Sequence, residues 1–169
     1  MSGPLDVQGH HGDVFLSFAK GPVKVSNRHG EVKVEDAEGT VAVDSEHGDV
    51  VVSRSGATTV GATHGDVTIE TVRGDLEVKG QHCGVKAMDV TGKVVVETNY
   101  RDVTLERLGA DARVRVEHGG ISATDVQGAL DAQSSFDSIT AVRVRGFLTA
   151  TVSHGGVRGE ALEGGGISE

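Results

Sequence analysis

The chain has 169 residues, of which 16 are Lys or Arg and 25 are Asp or Glu, so its net charge is −9 with neutral histidines. An acidic chain of this kind lacks the basic surface that binds phosphate backbones, and we expect no nucleic-acid binding. A single cysteine excludes an intramolecular disulfide framework, and no apolar run reaches the roughly 20 residues that span a bilayer. With 25 glycines and only five aromatic residues, the core is predicted to be thin and built from small side chains.

The tetrapeptide HGDV, or a close variant, recurs along almost the whole chain. Successive copies are 18 residues apart except for one step of 17. Each copy begins with a ring-bearing residue, which we take as offset zero of its repeat: His11, His29, His47, His64, His82, Tyr100, His118, Phe136 and His154. A glycine, or Ala110, stands at offset +10, but in the short repeat Gly56 stands at +9. The missing residue therefore lies between His47 and Gly56.

Apolar residues recur at fixed offsets and outline two short strands in each repeat. Val or Ile stands at offset +3, mostly aliphatic residues stand at +5 and +8, and pairs such as Val23 and Val25 stand at +12 and +14. This alternation is the signal of β-strands, and the glycine between the two segments suits a corner. Sustained helical periodicity is absent.

Stacking of successive repeats would bury the apolar faces that no repeat can bury alone. The sequence thus predicts an all-β fold, a single-stranded parallel β-solenoid of about nine turns of 18 residues with two main strands per turn. At about 4.8 Å per turn the rod would be about 43 Å long. Right-handed crossovers dominate among parallel strands, and a left-handed β-helix is the alternative. One domain is expected over residues 1–164, followed by a flexible tail at 165–169.

Both ends of the pattern stop in mid-turn. Gly3, Leu5 and Val7 fit offsets +10, +12 and +14, and the last repeat runs to Gly164. Neither end offers an amphipathic helix or a charged cap. We expect either that the flanks of a longer protein cap the rod or that the ends pair head to tail and build a filament.

The stretches VSNRHGEVKV, VKGQHCGVKAMDVTGKVVVETNYRDVTLERLG and VRVEHGGISATDVQGAL resemble a bacterial and archaeal family of β-strand-repeat proteins named as adhesins and catalogued largely as domains of unknown function. The resemblance covers residues 3–164, and glycine-valine repeats of this kind recur in other β-solenoids, including the polymer-forming bactofilins. It implies a β-solenoid, often on envelope or secreted proteins behind a signal or membrane segment that this chain lacks. It implies no enzyme activity and no active-site residues.

Stacked turns align equal offsets into columns, so the nine ring-bearing residues should form one column. A partly acidic column should run beside it at offset +2: Asp13, Glu31, Asp49, Asp66 and Asp102. Both columns should face outward. Imidazoles next to carboxylates could bind Zn²⁺ or Cu²⁺, with His11, His29, His47, His64, His82, His118 and His154 as candidate ligands. We favour a structural stack of rings, because Tyr100 and Phe136 share the column and Phe ligates no metal.

Catalysis is not expected from this sequence. Cys83 replaces a corner glycine beside His82, but neighbours in sequence rarely have the geometry that nucleophilic attack needs. No insertion longer than the repeat offers loops that could build a cleft. Accordingly, no catalytic residue, cofactor or cofactor-binding residue is predicted.

The function predicted from the sequence is a non-enzymatic structural or adhesive module of the cell envelope or surface, binding a protein or glycan surface. One alternative is a subunit that binds itself end to end in a bactofilin-like filament, and another is a metal-binding rod. Since no signal peptide or membrane-inserting segment is found, we expect an envelope or extracellular location if the chain is part of a longer protein, and a cytoplasmic one otherwise.

Overall fold

The parallel β-solenoid is confirmed in a computed structural model of the chain, which describes residues 3–164. It contains 18 strands, and residues 3–164 include no helix. Accordingly, no helix long and apolar enough to cross a membrane occurs in this part of the chain. The predicted flexible tail at 165–169 lies outside the described residues.

Odd-numbered and even-numbered strands form two separate nine-stranded sheets, each in chain order. The first sheet contains the strand that starts at offset +12 of every turn (one residue earlier in the short one): β1 (Leu5–Gly9), β3 (Val23–His29), β5 (Val41–His47), β7 (Thr58–His64), β9 (Leu76–Gly80), β11 (Val94–Thr98), β13 (Ala112–Val116), β15 (Leu130–Ser134) and β17 (Leu148–Val152). The second contains the strand that starts at offset +3: β2 (Val14–Ser17), β4 (Val32–Ala37), β6 (Val50–Ser55), β8 (Val67–Val72), β10 (Val85–Val90), β12 (Val103–Leu108), β14 (Ile121–Val126), β16 (Ile139–Val144) and β18 (Val157–Glu160). Connections between successive strands have only two to five residues.

All strand pairs are parallel, and their register keeps equal offsets in one column. Val23, for example, lies between Leu5 and Val41. The missing residue of the short repeat lies at the end of β6, because Ser55 still pairs with Ala37 while Thr58 already pairs with Val41. The rest of the ladder therefore continues without a slip.

The core is a narrow seam of Val, Ile, Leu and Ala between the two sheets, as the composition predicts. Its largest fully buried side chains are Ile and Leu, and all five aromatic residues are exposed: Phe15, Phe18, Tyr100, Phe136 and Phe147. Among the described residues, only the short turn has polar side chains at the inward positions +8 and +12. Ser55 and Thr58 are buried there, and their hydroxyls lie 2.7 Å apart. That hydrogen bond satisfies two groups that would otherwise be costly to bury.

One residue in every turn has a left-handed backbone, which the sequence analysis did not predict. At offset +7 the nine φ angles lie between 52° and 58°, and no glycine occupies the position: Phe18, Asp36, Arg54, Thr71, Asp89, Arg107, Asp125, Arg143 and Ala161. The left-handed residue turns the chain so that offsets +6 and +7 both face outward and +8 returns to the core. This explains why the apolar positions +5 and +8 are three residues apart.

Candidate functional site

The predicted column of rings is the most regular surface feature of the rod. Neighbouring ring centroids lie 4.5–5.2 Å apart, and neighbouring ring planes differ by 3–8°. All nine rings are exposed, as expected for offset zero. Five histidines, from His11 to His82, stack without interruption, and Tyr100 and Phe136 continue the stack with the same geometry.

The column rests on glycine corners and on small polar side chains beneath them. In six of the turns the glycine after the ring has a positive φ between 112° and 159°, which glycine adopts without strain. Side chains at offset +16 point inward and bond the corner carbonyls. Asn27 Nδ2 donates to Gly12 O (3.1 Å), and Ser134 Oγ donates to Gly119 O (3.1 Å). The rings are therefore held by a corner whose buried polar groups are largely satisfied.

The acidic column at offset +2 bonds the backbone of the next turn. Carboxylates in it accept a hydrogen bond from the backbone N–H of the same offset in the next turn. Glu31 N donates to Asp13 Oδ1 (2.9 Å), and Asp66 N donates to Asp49 Oδ1 (2.8 Å). The same kind of hydrogen bond between turns occurs at the opposite corner, where Lys93 N donates to Asp75 Oδ1 (2.8 Å). Each such aspartate links one turn to the next through a hydrogen bond.

The ring column is poorly arranged for metal binding. Ring nitrogens bind metals through lone pairs in the ring plane, and stacked parallel rings direct these lone pairs side by side rather than toward one point. Within residues 3–164 no group of three His, Cys, Asp or Glu side chains could hold a metal ion. The arrangement of the seven candidate histidines thus lends no support to the metal-binding alternative.

A second column, missed in the sequence analysis, joins opposite charges at offset +7. Arg54 donates to both carboxylate oxygens of Asp36 (2.5 and 2.8 Å), and Arg107 does the same to Asp89 (2.6 and 2.9 Å). Arg143 and Asp125 form the third such pair. In each pair the residues are 18 positions apart in the sequence. This spacing could have predicted that they lie side by side in successive turns. Two-point Arg–carboxylate bonds orient both side chains along the rod.

These pairs should add stability that is lost in acid. The hydrogen bonds from arginine hold the pKa of Asp36, Asp89 and Asp125 below the usual value. A lowered folded-state pKa contributes stability that is present above the usual Asp range, near pH 4, and lost as the pH falls through the lowered pKa. We expect the combined variant with all three aspartates changed to Asn to melt with a weaker dependence on pH below about 4.

The matched control for the acid experiment is Asp44→Asn. Asp44 is exposed on β5 between Ser26 and Gly61, which carry no charge. The melting temperature of this variant should depend on pH in acid as that of the wild type does. The same dependence in the wild type and the triple variant would show that the column adds nothing to stability.

Cys83 points into the core rather than toward a substrate. Its thiol is buried and lies 3.2 Å from the carbonyl oxygens of Ala62 and Gln81. It fills space left by Gly80, where an added Cβ would lie 3.1 Å from Cys83 Cβ. Burial raises the pKa of the thiol, which disfavours the thiolate that a nucleophile needs. Cys83 and Gly80 thus act as a compensating pair at a corner.

Comparison with protein-family models, with curated proteins and with solved structures gives no match. The structure itself shows a β-solenoid repeat protein. Its resemblance to the adhesin family rests on the quoted stretches alone.

Proposed function

We propose that the chain is a structural, non-enzymatic rod module that acts in the cell envelope or at the cell surface, in the manner of the adhesin family that it resembles. The observation that carries this proposal is the unbroken register of nine turns with connections of two to five residues. Such connections leave no loops from which a catalytic cleft is usually built. What the chain offers instead is length and a repeated surface.

A repeated surface suits many weak contacts with one partner. Identical offsets recur every turn, so a protein or glycan surface with a matching repeat can be bound at several points at once, and the affinities combine. The net charge of −9 argues against a nucleic-acid partner. Nothing in this proposal requires a cofactor.

Deletion of whole turns tests the module. Removing residues 94–111, one full turn, joins offset +11 to offset +12 and should give a folded rod shorter by about 5 Å. Removing residues 94–102 is the matched control, because half a turn places each later strand in line with the other sheet and moves every later ring and left-handed residue out of its column. The proposal expects the first deletion to melt cooperatively and to bind arrayed surface glycans or envelope proteins with reduced avidity. The proposal would be overturned if the full-turn deletion did not fold, or if one point substitution abolished tight binding.

The second candidate function is self-association through the ends. Among the described residues, the half-buried apolar side chains that pack against the core lie in the terminal turns, where the core is open: Val7, Val14, Leu16, Ala19, Val152, Val157 and Leu162. Apolar surface of this kind usually marks a contact. Light scattering of the full chain over a range of concentrations tests this candidate, and a constant monomer mass would reject it.

A further inference from the structure

Among residues 3–164 the terminal strands each have one partner. On the first turn, β1 pairs only with β3 and β2 only with β4, while on the last turn β17 pairs only with β15 and β18 only with β16. Each terminal strand therefore presents a row of backbone groups that can pair with a further parallel strand. The register of the interior turns defines which residues would meet if a second copy supplied that strand.

Inward columns match in size when the first turn of one copy is placed over the last turn of another. Leu5 then lies over Leu148, and Val14 lies over Val157. Where one side chain is large the other is small, since Leu16 meets Gly159 and Gly9 meets Val152. Interior columns show the same alternation, with Leu105 between Ala87 and Ala123. The core seam would continue through such a joint without a void or a clash of large side chains.

Outward columns match in charge and shape. Lys20 meets Glu163, which already lies 3.6 Å from Arg145 in the turn below, so charges would alternate along this column. The ring of His11 meets the ring of His154. Nowhere do like charges meet in the outward columns, whose other pairs are Asp6 with Thr149, Gln8 with Thr151, His10 with Ser153, Asp13 with Gly156, Phe15 with Arg158, Ser17 with Glu160 and Phe18 with Ala161.

Two exposed phenylalanines on the first turn also gain a partner. Phe15 and Phe18 are 64% and 75% exposed, and no other turn has an aromatic residue at offset +4 or +7. At the joint Phe18 would cover Ala161, the smallest residue of its column. Phe15 would lie over the guanidinium of Arg158, a favourable cation–π arrangement.

We propose that this chain binds a second copy of itself head to tail, with β1 and β2 of one copy pairing in parallel with β17 and β18 of the next. The proposal rests on the second candidate function and deepens it by naming the partner, the direction and the register. Every joint leaves one free first turn and one free last turn, so the contact propagates into an open filament. Gly3 of one copy and Gly164 of the other fall on the same corner position, so a chain end must move aside there, outside the paired strands.

Sedimentation and negative-stain electron microscopy of the full chain test this geometry. We expect unbranched filaments one rod wide with an axial repeat of about 43 Å. Phe18→Asn should weaken association about tenfold by removing apolar cover. Asn accepts the left-handed backbone of this position, so the melting temperature of the monomer should be retained. Monomers at every concentration, or closed dimers joined through like ends, would overturn the proposal.

Charge exchange tests the register. Lys20→Glu places like charges at the joint and should weaken association about fivefold, while the double variant Lys20→Glu/Glu163→Lys should recover most of that loss. Lys86→Glu is the control, since it makes the same change in charge between Thr68 and Thr104 in mid-rod. Equal weakening by Lys20→Glu and Lys86→Glu, or no recovery in the double variant, would overturn head-to-tail joining. The rod module itself is judged separately by the turn deletions.

Discussion

Leu105→Ala is expected to cost about 4 kcal/mol of unfolding free energy, near the upper end of the range for a buried leucine. Leu105 is fully buried on β12 and lies between Ala87 and Ala123 in its column. The variant would place four alanines in succession, since Ala141 follows Ala123 in the column, and the flanking backbones cannot collapse into the cavity because they are held by the ladder. Chemical denaturation measures the loss.

Thr104→Ala is the control for this variant. Thr104 is the preceding residue on the same strand and faces outward, so its change should cost less than about 1 kcal/mol. A similar loss for the two variants would mean that side chains between the sheets do not determine the stability of the rod.

Gly48→Ala is expected to destabilise the rod by about 3 kcal/mol or more. Gly48 has a φ of 141°, and a Cβ there would lie 2.1 Å from the carbonyl oxygen of Gly30 in the preceding turn. The corner must therefore shift away from the turn below, which weakens the bond from Gly30 N to His47 O (3.1 Å) and the ring stack beside it. Thermal and chemical denaturation should both report the loss.

Gly156→Ala is the matched control, because no atom lies within 4 Å of a Cβ added at Gly156. We expect it to leave the melting temperature almost unchanged. If Gly48→Ala were as mild as Gly156→Ala, close approach of successive corners would not be what the glycines provide.

These expectations share one physical cause, the short distance between successive turns. Each turn contacts only its neighbours, so stability is a sum of turn and interface contributions. The buried leucines, the corner glycines, the stacked rings and the ion pairs all contact residues of the same offset in the neighbouring turns. A change in mid-rod is felt in two interfaces, and a change in a terminal turn in only one.

The period of 18 residues was sufficient to predict the fold, the two sheets, the ring column and the outward direction of the acidic column. These features follow from equal spacing alone, because equal offsets must align when turns stack. Even the position of the one missing residue could be placed within the short stretch that contains Ser55 and Gly56.

Other features depend on backbone angles or on contacts between turns, which spacing does not reveal. Arg, Phe and Thr are not residues for which a left-handed backbone is expected, so the column of Asp36 and Arg54 was missed although its members are 18 residues apart. Likewise Cys83 looked like a neutral corner substitution. Only the contact with Gly80 shows that its side chain turns inward and fills the core.

Distances between paired spin labels in one column test the central claim, a straight rod of parallel turns in continuous register. In a Cys83→Ser background, labels at Thr68 and Thr140 would be four turns apart, and labels at Lys33 and Thr140 six turns apart. Pulsed electron spin resonance should give two narrow distributions whose means differ by two turns, about 10 Å. Equal means, or broad distributions for both pairs, would contradict the rod.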